Sequence, residues 1–71
     1  MKTYYFFKDL NNSEHNHTFE KQSQLNRHIR QLIINNKDYS IFKSFLNQSN
    51  EALVELLEDY NILVGAYNVK E

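Results

Sequence analysis

Glu14, His15 and His17 form the one short cluster in this sequence that has the residue types of a metal site. Side chains two apart share a face of a strand, so His15 and His17 could reach one ion together, with Glu14 as a third ligand. A fourth ligand is missing, because His28 falls in a helical pattern and the chain has no Cys. The cluster also sits in a polar stretch that reads as a turn, where such residues are expected without a metal. The expectation is therefore no metal and no cofactor. Catalysis has as little to start from. There is no Cys nucleophile, and with Gly65 as the sole glycine there is no Gly-rich phosphate loop and no nucleophile elbow. No catalytic residue is assigned, and the chain is read as a non-enzyme.

Charge offers surfaces instead of reactions. Between Lys43 and Lys70 every charged side chain is acidic. Glu51, Glu55, Glu58 and Asp59 are spaced i, i+4, i+7 and i+8, which lays them along one helix face. Like charges at this spacing repel by a few tenths of a kcal/mol. The plain reading is a solvated face. The functional one is a docking stripe for a basic groove on another protein, one that itself holds nucleic acid. The basic side is thinner: Arg27 and Arg30 share part of a helix, with Lys21 and Lys37 flanking it. Direct nucleic-acid binding usually needs a concentrated basic face, and the formal net charge is −1. That role is kept as an alternative, through Arg27, Arg30 and the aromatics of a sheet.

Those aromatics are Tyr4-Tyr5-Phe6-Phe7. On a strand Tyr4 and Phe6 face one way and Tyr5 and Phe7 the other, so both faces carry large apolar area. In a chain of 71 residues covering both is hard. The face of Tyr4 and Phe6 is expected to stay open, as a surface for a protein partner or for a second copy in a homodimer.

The elements that position these groups follow from periodicity. Lys2 to Lys8 reads as a strand rich in β-preferring aromatics, and residues 17–21 as an antiparallel partner across a polar turn. Leu25, Ile29, Leu32 and Ile33 form one helical face, with Ser23 as its cap and Asn35-Asn36 as a left-handed stop. Asp38 is expected to cap a second helix reaching about Leu46, with Ile41, Phe42, Phe45 and Leu46 on one side. A third helix opens at Ser49 or Asn50, with Leu53, Leu56, Leu57 and Tyr60 inward. Residues 62–69 then form either a third strand, with Asn61 as the helix stop, or a continuation of that helix. Gly65 and the β-branched residues favour the strand, which would lie beside the first one and make it central.

The expected fold is therefore a single small α+β domain over residues 1–71. It has an N-terminal hairpin, two or three helices on one sheet face, and a C-terminal strand beside the first. Its core is read as Tyr5, Phe7, Phe19, Leu25, Ile29, Leu32, Ile33, Phe42, Phe45, Leu53, Leu57 and Val64. An apolar fraction of 41% with 24% charged residues is that of a folded domain. Ten Asn and four Gln are attributed to AT-rich coding before any recognition role. No apolar run reaches the roughly 18 residues of a membrane span, and no leader pattern is seen, so a cytoplasmic location is expected. The favoured role is a protein-interaction module resembling, in size and composition only, the small inhibitors that phages and mobile elements encode. It would occlude a host protein through Glu51, Glu55, Glu58 and Asp59, or through Tyr4 and Phe6. A self-assembling accessory protein is the remaining alternative.

Overall fold

A computed structural model describes residues 1–70. Within them the strands are β1 (Lys2–Asp9), β2 (His17–Phe19) and β3 (Ile62–Val69), and the α-helices are α1 (Gln22–Asn35) and α2 (Asn50–Asp59). Two 3-10 segments, Ser13–His15 and Lys37–Phe45, complete the order. The fold is α+β, with one antiparallel sheet in the order β2-β1-β3. The C-terminal segment is a strand, and β1 is central, as its aromatics on both faces required.

The register sorts the side chains. Tyr5 and Phe7 of β1 stand opposite Phe19 and His17 of β2, and opposite Ala66 and Val64 of β3. With Asp9 and Ile62 these form the face on which the helices pack. Phe7, Leu25, Ile29, Ile33, Tyr39, Phe42, Leu53, Leu57 and Ile62 are buried, and Tyr5, Phe19, Leu32, Leu46, Leu56 and Val64 pack against them. The opposite face carries Tyr4, Phe6, Leu63, Tyr67 and Val69, and no helix covers it.

Each helix end has a local cause. α1 starts one residue before Ser23, with Lys21 as the N-cap, and the Gln24 side chain accepts the Lys21 N–H at 3.3 Å. Ser23 is therefore not the cap. Asn36 does not adopt the left-handed stop; its φ of −119° is extended. An extended backbone is what an N-cap needs, and Asn36 caps the following segment, its side chain accepting the Asp38 N–H at 2.9 Å. Asp38 consequently sits in the first turn instead of capping it.

The segment Lys37–Phe45 is 3-10 and not α-helical. Residues three apart eclipse one another in a 3-10 helix, so Tyr39, Phe42 and Phe45 share a side. Tyr39 and Phe42 are buried, whereas Ile41 is 55% and Phe45 38% exposed. Phe45 is thus a correction to the expected core, and Tyr39 takes the inward place.

Ser49 caps α2, its hydroxyl accepting the Ala52 N–H at 3.2 Å. Tyr60, expected inward, is 48% exposed and covers Phe42 edge-on, with ring centres 5.1 Å apart. Asn61 is the stop that the sequence indicated, with φ of 65°. A left-handed backbone costs most side chains about 1–2 kcal/mol, and Asn or Gly much less. Asn61→Val is therefore expected to lower unfolding free energy by about that amount, with Asn61→Gly nearly neutral, in urea titrations followed by circular dichroism.

Candidate functional site

The uncovered sheet face is built from alternate residues of β1 and β3. Tyr4 stands opposite Tyr67, and Phe6 opposite Gly65. The Tyr4 and Tyr67 rings stack with centres 5.8 Å apart and planes 27° apart. Phe6 lies 6.2 Å from Tyr67. Gly65 is what lets Phe6 lie flat, because a Cβ at that position would meet the Phe6 ring at 3.0 Å. Tyr67 is 45% exposed, and Leu63 and Val69 are each 39% exposed. Three aromatic rings and two aliphatic side chains thus share one side of a hydrogen-bonded sheet, a rigid apolar platform that costs little further entropy to present.

Polar groups border it. Lys2 Nζ bonds Glu20 at 2.7 Å and lies 5.4 Å from the centre of the Tyr4 ring. The hydrogen bond to Glu20, and then its charge, raise the Lys2 pKa. The same bond to Lys2, and then the Lys2 charge, lower that of Glu20. Both groups are exposed, so the pair orients Lys2 over Tyr4 more than it stabilises the fold. Lys8, opposite Leu63, borders the other end.

The second expected surface lies on the other layer. Glu51, Glu55, Glu58 and Asp59 are all exposed along α2. The ion pair found among the described residues, Lys2–Glu20, does not involve them. Tyr4 and Phe6 point away from the helices and the acidic stripe faces outward from them, so one flat partner meets one surface or the other. A shallow cleft of about 430 Å³ separates α1 from α2, floored by Tyr5, Leu25 and Val64 and rimmed by Glu51 and Glu55.

Arg27 and Arg30 are not brought together with the sheet aromatics. Arg27 is exposed on the helix layer. Arg30 donates to the Leu46 carbonyl and to Asn50 Oδ1, the latter at 2.9 Å, tying α1 to the start of α2. Its guanidinium is occupied within the fold.

The histidines separate as well. His15 Nε2 accepts from Asn36 Nδ2 at 3.1 Å, and its ring meets Tyr39 edge-on. His17 lies against Phe19, with ring centres 4.6 Å apart. His28 donates from Nε2 to the His15 carbonyl and packs against Phe7. The His15 and His28 nitrogens are thus used within the fold, and among the described residues no three His, Asp or Glu side chains are grouped to hold a metal ion.

One buried polar pair escaped the sequence reading. Asp9 is 7% exposed and accepts the Tyr39 hydroxyl at 2.6 Å and the Asn11 N–H at 2.9 Å. Burial first, then the bond to Asp9 and its charge, push the Tyr39 pKa well above the usual phenol range. Asp9 opens a polar run and Tyr39 was outside the expected apolar series, so only their pairing across 30 residues marks them.

Comparison with known protein families, curated proteins and solved structures gives no match to this chain. No helix among the described residues is long and apolar enough to cross a membrane.

Proposed function

We propose that this chain is a non-enzymatic binding module that occupies an apolar strip on another protein with its uncovered sheet face. The supporting observation is the platform of Tyr4, Phe6, Leu63, Tyr67 and Val69 on the side of the sheet that no helix covers. Contiguous apolar surface of this kind marks interaction sites, and aromatic anchors carry most binding energy in protein interfaces. A cytoplasmic inhibitor of phage or mobile-element type, acting by occlusion, fits this form.

The acidic stripe on α2 supports a second reading, docking on a basic groove. Four carboxylates aligned on one face repel one another, a cost that a cationic partner removes. Direct nucleic-acid binding has less support, because Arg30 is engaged by Leu46 and Asn50 and Lys2 by Glu20.

Capture from a host lysate with paired variants separates the readings. Phe6→Lys with Tyr67→Lys is expected to lose the captured protein, while Glu55→Lys with Asp59→Lys retains it. The reverse pattern transfers the role to the stripe. A gain of oligonucleotide binding by the stripe variant, lost again on Arg27→Ala, supports the nucleic-acid reading instead.

A further inference from the structure

The free edge of β3 is a second unpartnered feature, distinct from the aromatic platform. β3 pairs with β1 on one side only, and its other edge ends the sheet. The Leu10 N–H donates to the Asn61 carbonyl at 3.0 Å, which phases the ladder. By the alternation of antiparallel pairs, Leu63, Gly65, Tyr67 and Val69 bond β1, and Ile62, Val64, Ala66 and Asn68 turn their N–H and C=O groups outward. Folded proteins blunt such edges with charge, Pro, bulges or very short strands. Ile62–Val69 has none of these: it is eight residues long, with no charged side chain and no Pro. The opposite edge, β2, is three residues long and so is already blunted.

We infer that β3 pairs antiparallel with β3 of a second copy, across a two-fold axis at Ala66, to give a six-stranded sheet. Keeping the helices of both copies on one side requires an axis centred on a residue, because faces alternate with period two. An axis at Gly65 sets two glycines opposite each other and leaves a gap. An axis at Ala66 sets Leu63 opposite Val69 and Tyr67 opposite Gly65, so each glycine faces a side chain instead of a second glycine.

Charge and shape agree with this register. Lys70, the next residue after β3 and the only cation beyond Lys43, is brought opposite Ile62 of the second copy on the helix side. Ile62 comes three residues after the end of α2, where no cation among the described residues pairs with Glu58 or Asp59. The first turns of α2 lie beside Val64–Ala66 and its end leads into Ile62, whereas Ala66–Val69 is exposed beyond it. The two α2 helices therefore run from near the axis toward opposite ends of the seam. Pairing of residues 64–68 makes about six backbone hydrogen bonds, and both outer edges of the dimer are then the short β2. The seam does not depend on what the platform binds.

Sedimentation velocity on the full chain tests the pairing. The wild type is expected to be a dimer at micromolar concentration, and Ala66→Pro a monomer with unchanged circular dichroism, since that N–H points outward and bonds nothing in one copy. Should Ala66→Pro fail to fold, Lys70→Glu gives an independent reading. It is expected to weaken the dimer about tenfold, and adding Glu58→Lys and Asp59→Lys to the same chain restores it. A wild-type chain that stays monomeric to about 100 µM overturns the inference. So does a folded Ala66→Pro variant that remains dimeric, or a charge reversal that restores nothing. A dimer abolished by Tyr4→Thr with Phe6→Lys but not by Ala66→Pro assigns self-association to the platform instead.

Discussion

Phe42→Ala abolishes the cooperative unfolding transition and leaves the chain unfolded at room temperature: this is the expected result of emptying the centre of the core. Phe42 is 1% exposed, among the largest fully buried side chains, and contacts the Tyr39 and Tyr60 rings. A buried Phe→Ala change costs about 3–5 kcal/mol. A core of this size supplies rarely more than about 3–5 kcal/mol in total. The two quantities are equal, so the loss is of the whole fold. Phe45→Ala, on the same segment but 38% exposed, is the control and should cost less than about 1 kcal/mol. Circular dichroism and urea titration distinguish the two. A Phe42→Ala protein with a midpoint near that of wild type contradicts the burial of the segment.

Removing the Tyr39 hydroxyl has the next largest effect. Tyr39→Phe keeps the ring among Phe7 and Phe42 but takes away the donor 2.6 Å from Asp9. The buried carboxylate is left with the Asn11 N–H alone, and the cost is about 1–3 kcal/mol. The pH dependence gives an independent check. The Tyr39 pKa is raised in the fold from an ordinary value of 10.0, chiefly by burial and next by its bond to Asp9. The unfolded chain therefore releases this proton at lower pH than the folded one. The stability it contributes is complete below about pH 10 and is lost as pH rises from there toward the folded value. Urea unfolding at rising pH should show the wild type weakening above pH 10, while Tyr39→Phe, already weaker, shows a shallower slope. Parallel slopes would place the phenol in water.

Much of this arrangement was legible in the residues because local pattern and tertiary need agreed. Alternation in Tyr4-Tyr5-Phe6-Phe7 gave the two faces of β1, and Leu25, Ile29 and Ile33 gave the buried side of α1. Asn61 marked the turn out of α2 because few side chains accept its backbone. The Lys37–Phe45 segment was misread for a physical reason. Ile41, Phe42, Phe45 and Leu46 fit a period near four, while Tyr39, Phe42 and Phe45 fit a period of three through the same stretch. The choice between them rests on the long-range bond from Tyr39 to Asp9, which no local window contains. Arg30 was read as a surface cation for the same reason, since the carbonyl that holds it lies 16 residues away at Leu46. The platform and the stripe needed only strand and helix phase, and both lie where that phase put them.

The pairing of β1 with β3 also dictates the order in which the fold can assemble. Lys2 meets Val69 and Asp9 meets Ile62, so the longest ladder in the sheet joins segments more than 50 residues apart. Ladders of this separation require closure of a long loop before any contact rewards it, and high contact order slows folding. The β1–β2 hairpin and α1, which are local, can form while β3 is still detached. In that interval the edge of β1 that β3 will occupy is unsealed, and Tyr4 and Phe6 lie beside an unpaired backbone. The transient species is the one most exposed to aggregation. The kinetic partition between docking of β3 and capture of β1 by another chain, more than native stability, then sets the yield of refolding at high concentration.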